Sequence, residues 1–338
     1  MGLTADRKKK DLRTRQEPAR TQPRADEHAS RLLRVRGRTV EISNPGKLYW
    51  PDEAITKMKL VDYYRRVTPV LLPHLKDRPH ALHRHPNGIG QPGFFQKNLL
   101  RGVPDWVSTV TVPAESTGRN VRYFVCADEA SLMLMINMGC IEINPWFSRV
   151  GSLDRPDFLV FDLDPLETEF TTVVEVARGL KEILDRAAIP SVPKTSGATG
   201  MHIYVPLQAA YDYPTVRDFA ELVVTILHEQ MPGTTSLDRN PLHRKKKVYL
   251  DYLRNSFTQT LAAPYSVRPR PGAPVSTPLE WKEVGPGLDP RQHTMKTLPR
   301  RIDARGDLFR RVLGKGINLE AARKKLDPGR ASARRFEG

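Results

Sequence analysis

Two cysteines in 338 residues, Cys126 and Cys140, are too few for a disulfide framework, and without a C-x-x-C spacing they exclude a thiolate zinc site. Both adjoin apolar runs, so they read as buried free thiols. Long hydrophobic runs are also missing. No stretch reaches membrane-spanning length and no signal-peptide pattern opens the chain, so the expected setting is the cytoplasm, away from membranes. Acidic residues are in short supply, 38 against 54 Lys and Arg, which leaves a formal net charge of +16 and a pI near 9.9. Such a balance suits a polyanionic partner. Most of the excess sits at the ends: residues 1–38 carry a net +7 and residues 315–338 a net +4. The body between them holds 35 basic and 30 acidic residues, so total charge alone does not establish a nucleic-acid groove.

The stretch around which the chain is organised is Phe158-Leu159-Val160-Phe161-Asp162-Leu163-Asp164-Pro165. Its apolar, partly β-branched and aromatic run reads as a buried strand. Alternation places Asp162 and Asp164 on one face, where two carboxylates persist by sharing a proton or holding a cation. Pro165 ends the strand. A second apolar strand, Val248 to Leu253, embeds one carboxylate, Asp251. An acid inside such a strand is costly unless paired or metal-bound, so Asp251 is the expected third ligand. Between them lies Lys194-Thr-Ser196-Gly197-Ala-Thr199-Gly200-Met-His202, a small polar turn entering a strand. Its backbone N–H groups and hydroxyls can cradle a phosphate, with His202 as a further donor.

Residues 1–30 are charged and lack apolar periodicity, and are expected to be a disordered basic tail. Val35, Val40 and Ile42 alternate like strand residues before the turn Asn44-Pro45-Gly46. Thr56 is a good N-cap for a helix to about Leu72 with Val61, Tyr64, Val67 and Leu71 on one face. Lys57 and Lys59 oppose the dipole in its first turn, an arrangement that makes sense if they join Lys47 in a phosphate site. His83 and His85 share a strand face, but no further ligand at suitable spacing supports a histidine metal site. Phe94 and Phe95 are adjacent aromatics beside Lys97 in a chain with only 7% aromatic residues. On a strand they face opposite ways, and if both are exposed they can stack bases. Residues 107–125 read as a hairpin, Asp128 opens a Met-rich helix ending at Gly139, and Cys140–Trp146 reads as a strand leading to the central one. Capping patterns place helix starts at Thr172 and Thr215. A last short helix is expected over Asp307–Leu313, followed by a basic tail over 315–338.

With FDLDP, TSGATGMHIYVPL and VYLDYLRN followed by TLAAPYSVRPRPGAP, the chain resembles the polymerase domain of bacterial ligase D, in the archaeo-eukaryotic primase superfamily. The resemblance covers roughly residues 35–310, within a catalytic domain expected over 31–314. It implies a mixed α/β core with two β-sheets flanked by helices, one sheet RRM-like. The implied activity is template-dependent addition of NTPs or dNTPs to a primer 3′-hydroxyl at gaps and broken ends in non-homologous end joining. Two divalent cations, Mn2+ or Mg2+, would be held by Asp162, Asp164 and Asp251. The triphosphate falls to Ser196, Gly197, Thr199 and His202, with Arg268 near the nucleotide. A downstream 5′-phosphate falls to Lys47 and Lys57, template stacking to Phe94 and Phe95, and other nucleic-acid contacts to Arg84, Lys97 and Arg244. The 110–122 hairpin matches a loop that brings DNA ends together. Implied partners are gapped or broken DNA, a DNA ligase and an end-binding protein such as Ku, in the nucleoid. Two positions depart from the pattern: Thr199 stands where some relatives carry Lys, and Asn144 where others have His. No K-x-D-G ligase motif occurs, so nick sealing is not expected.

Three alternatives share parts of this evidence. A primase-polymerase could start chains without a primer. FDLDP also resembles the nucleophile strand of haloacid-dehalogenase-type phosphatases, although Leu166 stands where those carry Thr or Val. A non-catalytic DNA-end-binding module has no use for three converging acids.

Overall fold

The structure, a computed structural model, describes residues 30–99, 102–114 and 118–327. The expected 1–30 tail and the end of the 315–338 tail therefore lie almost wholly outside the described residues, as does the 115–117 tip of the hairpin. The described chain opens with an antiparallel pair, β1 (Ser30–Val35) and β2 (Arg38–Ser43), burying Leu33, Val35, Val40 and Ile42 on one face. The short strands β3 (Leu48–Trp50) and β4 (Ile55–Thr56) lead into α1 (Lys57–Leu75). The Thr56 hydroxyl accepts from Lys59 N at 3.2 Å and caps it. Val61, Tyr64, Val67 and Leu71 of α1 are fully buried.

A first sheet follows: β5 (Arg78–Arg84), β6 (Phe94–Gln96), β7 (Thr109–Ala114), β8 (Arg119–Cys126) and, after α2 (Glu129–Asn137), β9 (Cys140–Pro145). Asp128 caps α2 in a reciprocal box with Ser131. β5 is the hub, pairing with β9, with β8 through Arg78–His80 and with β6 through Leu82–Arg84. β9 was expected to run toward the Asp162 strand; it belongs to this sheet instead.

The second sheet is built from β10 (Phe158–Pro165), β11 (Val192–Thr195), β12 (Met201–Pro206), β13 (Thr235–Ser236) and β14 (Val248–Asp251), in the order β11-β12-β10-β14-β13. Both neighbours of β10 are antiparallel to it. That excludes the parallel sheet on which the phosphatase alternative depends.

Helices α3 (Phe170–Arg186) and α4 (Tyr213–Gln230) cover one face of this sheet. Leu159, Phe161 and Leu163 pack beneath them, whereas Phe158 and Val160 join the core of the other half of the molecule. The alternation turns Asp162 and Asp164 toward the other sheet.

Both expected capping residues were misplaced. α3 starts at Phe170 after Glu169, and Thr172 N already bonds Glu169 O at 3.1 Å, inside the first turn. α4 is capped by Asp212, which accepts from Thr215 N at 2.9 Å, and Pro214 occupies its first turn, where a missing N–H is harmless. Near the C-terminus, α5 (Leu298–Arg305) precedes a single 3-10 turn at Arg310–Leu313. Within the span expected to be a tail, α6 (Leu319–Leu326) buries Leu319 and Ala322 against the α3 and α4 core. Among the described residues no helix is long and apolar enough to cross a membrane.

Candidate active site

Strand register assembles the site. Asp162 lies directly opposite His202 on one side and Asp251 on the other, and His202 lies opposite Lys194. Directly paired residues share a face, so Lys194, His202, Asp162 and Asp251 form one row across four strands. Asp164 extends the same face by one pleat. This face borders a cleft of about 470 Å³ lined also by Ser196, Thr199, Arg268, Phe95 and Lys97.

The carboxylates differ in environment. Asp162 is 7% exposed, and burial pushes its carboxyl up to about 6. Arg254 opposes that shift, while Asp164 and Asp251 add to it. Asp164 is raised in the same direction, by burial first, against the opposing charges of Arg244 and Arg254. Arg254 bridges Asp162 at 3.2 Å and Asp251 at 3.1 Å, a residue that sequence reading passed over although it stands three positions after Asp251.

Three oxygen donors on one face suit hard divalent cations. In the present side-chain arrangement no set of three His, Cys, Asp or Glu side chains among the described residues is close enough to hold one ion. The two arginines neutralise the carboxylates in this arrangement and would have to yield to cations.

Arg244 was expected to contact nucleic acid. It lies instead 3.5 Å from Asp164, over the Tyr249 ring at 3.9 Å, and donates to the carbonyls of Asp238 and Arg239. The turn expected to cradle a phosphate is closed by its own bonds, with the N–H groups of Ala198 and Gly200 already engaged. Ser196 Oγ accepts from Ala198 N at 3.1 Å and Gly200 N at 3.0 Å, leaving its hydroxyl proton free to donate outward. Gly200 is required because a Cβ there would come within 2.3 Å of Leu163 O, which shows how closely the turn approaches the end of β10. Thr199 is exposed at the rim. Arg268 is held by Glu142 at 2.7 Å and donates to Ser196 O, which ties the first sheet to the turn. Arg270, two residues on, lines the same cleft and was not singled out in the sequence. Asn144 also lines it, with a buried Nδ2 that has no hydrogen-bond partner.

Phe94 and Phe95 are both exposed, at 48% and 59%, and face opposite ways. Phe95 stacks on His83 at 4.2 Å between centroids and borders the cleft. Phe94 lies over Arg84 at 5.4 Å. His83 and His85 face each other at 3.2 Å between Nε2 atoms, with no third ligand completing a metal set among the described residues.

On the Phe94 side, Lys57 is 4% exposed and spends its protons on Ser43 O, Ser43 Oγ and Asn137 Oδ1. Burial lowers its ammonium to about 8, with Lys47 and Arg84 as the next causes. Lys47 donates to Asn87 at 2.6 Å. Three cations thus gather among neutral acceptors. Lys47 is half-buried, whereas Lys57 is buried with its protons already taken, rather than the second free phosphate contact expected from the sequence.

Same-face carboxylates beside the Ser196–Gly200 turn, with a basic cleft between two sheets, suit metal-dependent nucleotidyl transfer. Residues 56–309 match the family model of the LigD primase-polymerase domain. The multifunctional non-homologous end joining protein LigD of Pseudomonas aeruginosa is 35% identical over 266 residues, 78% of this chain and 31% of that protein. The bifunctional non-homologous end joining protein LigD of Bacillus subtilis is 32% identical over 272 residues, 80% of this chain and 43% of that protein. The solved polymerase domain of Mycobacterium tuberculosis ligase D, in complex with DNA, superposes with a TM-score of 0.76 at 31% identity, covering 82% of this chain and 99% of that one. The chain belongs to the LigD primase-polymerase domain family. It spans less than half the length of these two curated relatives.

Proposed function

We propose that the chain adds NTPs or dNTPs to a primer 3′-hydroxyl at gaps and broken ends, under template direction, as the polymerase of a non-homologous end-joining repair reaction. The observation that carries this is the row Lys194–His202–Asp162–Asp251, with Asp164 beside it, bordering the cleft that also contains Ser196 and Arg268. Asp162, Asp164 and Asp251 would hold two divalent cations, Mn2+ or Mg2+. Cations held there would supply Lewis acidity toward the 3′-hydroxyl and positive charge toward the pyrophosphate leaving group.

The chain's own residues supply positioning and charge. Ser196 O–H, His202 and Arg268 bind the triphosphate along the turn, and the exposed Arg270 and Lys97 extend the positive lining. Phe95, stacked on His83, offers a flat apolar surface to a base in the cleft. Lys47, backed by Lys57 and Arg84, receives a 5′-phosphate across the strand, with Phe94 beside it. The partners are gapped or broken DNA, a DNA ligase and an end-binding protein such as Ku, in the cytoplasm at the nucleoid.

Primer extension on a gapped template tests the reading, with each metal and nucleotide type, with and without a downstream 5′-phosphate. Metal-dependent, template-matched addition supports it. No extension with either metal overturns it.

A further inference from the structure

Arg268 reaches the cleft from a loop that lies along β9. Ile143 N donates to Ser266 Oγ at 2.9 Å and Ile143 O accepts from Ala263 N at 2.9 Å, so main-chain bonds already fasten this loop beside Glu142. The Glu142 side chain adds something that those bonds do not. It is 7% exposed, and a carboxylate taken out of water is costly unless it is paired. Its Oε2 lies 2.7 Å from Arg268 Nε. A guanidinium carries five N–H groups in one plane. Nε spends its proton on Glu142 and Nη1 spends one on Ser196 O, while among the described residues Nη2 makes no bond. A Cβ on Gly197 would come within 2.9 Å of Arg268 Cγ, so the stem of the arginine lies against the turn. Two held edges of a planar group set the direction of the third. Arg268 lines the cleft, and the Nη2 edge is the part left for a ligand there.

We propose that Glu142 is a positioning residue for nucleotide binding: by holding Nε, it aims the free Nη2 edge of Arg268 at the triphosphate. The role deepens the reading of Arg268 as a triphosphate contact and rests on it. Without Glu142 the guanidinium keeps its charge and its bond to Ser196 O, but it can turn about its last side-chain bonds and loses its aim. The competing role is a plain clamp between β9 and the turn. A clamp would cost stability when removed and leave nucleotide binding unaltered in any variant that folds.

Steady-state nucleotide addition by the full chain separates the two roles. Glu142→Met fills the space without an acceptor. It should raise the nucleotide KM about tenfold, the worth of one charge-assisted contact, with kcat within about threefold of the parent. Glu142→Gln keeps an acceptor for Nε and should stay within about threefold of the parent KM. An unchanged KM in a folded Glu142→Met overturns the proposal. Equal losses in Glu142→Gln and Glu142→Met would assign the effect to missing charge rather than to aim, and also overturn it. If Glu142→Met does not fold, Glu142→Asp takes its place with the same expectation, since its carboxylate stops one methylene short of Nε.

Arg268→Lys supplies the background that decides the route. It keeps a cation for Glu142 but has no planar edge to aim, so Glu142→Met should add nothing to its loss. A full further loss on that background would mean that Glu142 does not act through Arg268, and would sink the proposal. Binding is also read without turnover. Mn2+ with an NTP should raise the melting temperature of the parent and of Glu142→Gln, and raise that of Glu142→Met less at the same concentration. A parent protein that the nucleotide stabilises but that fails to extend primers counts against the proposed function and leaves this result standing.

Discussion

At the scale of single residues, the site crowds like charges together and takes one of them out of water. Asp162 is the clearest case, raised to about 6 by burial and then by its two acidic neighbours. Asp162→Asn keeps the shape and removes the charge. Nucleotide addition should fall by about 10²–10³-fold or more, DNA affinity should hold, and the melting temperature of the metal-free protein should rise because a strained carboxylate is gone. Loss of DNA affinity in step with activity would mean a folding or binding defect instead.

Lys57 gives the opposite sign. Its folded value of about 8 lies below the 10.5 of an ordinary lysine, so the native state binds fewer protons between those limits and stability rises with pH across that window. Phosphate recognition needs the charged form. The preference for DNA with a downstream 5′-phosphate over the hydroxyl-ended form should therefore shrink as pH rises past 8, and in Lys57→Met it should be small throughout. Comparing binding of both DNAs at pH 7 and pH 9 checks it; a preference that persists at pH 9 in the parent would remove Lys57 from the pocket. The shared face of Asp162 and Asp164 was legible because strand alternation is local. The burial of Lys57 was not, since its acceptors Ser43 and Asn137 come from β2 and the end of α2.

At the scale of elements, the informative piece is β6, three residues that set Phe95 against His83 on one face and Phe94 against Arg84 on the other. Phe95→Ala should weaken nucleotide addition by the loss of one stacking surface, about 1–3 kcal/mol, with the 5′-phosphate preference intact. Phe94→Ala should do the reverse. Identical phenotypes in the two variants would show that they serve one surface. The turn before β12 is closely fitted to the end of β10. Gly200→Ala would drive a methyl into Leu163 O and push the turn off β10, so nucleotide KM should rise and the melting temperature fall.

The elements themselves were largely readable from periodicity, and α1, α2 and the β7–β8 hairpin came out close to their observed limits. Their pairing was not. Lys194, His202, Asp162 and Asp251 become neighbours only through the order β11-β12-β10-β14, and no local pattern specifies which strand lies beside which. The misplaced caps of α3 and α4 have a similar cause, since Thr172 and Thr215 fit a capping pattern that Glu169 and Asp212 pre-empt from upstream.

For the molecule as a whole, the sequence suggested a catalytic body between two basic tails, and the structure moves one boundary. Leu319 and Ala322 of α6 are buried, so truncation after residue 314 should lower the melting temperature relative to truncation after residue 327. Removing residues 1–29 should flatten the salt dependence of DNA binding without changing sequence preference. An unchanged slope would assign that segment to a protein partner or to solubility.

The opposed faces of β6 carry a last consequence at this scale. On the proposed reading, a growing 3′ end occupies one side of a wall one strand thick, and the 5′-phosphate that closes the gap occupies the other. On that reading the strand sets a fixed separation between the two ends. A gap short enough to span it would engage both faces at once, and a longer gap would engage the second face only once synthesis has shortened it, so that contact would mark the point at which filling is complete.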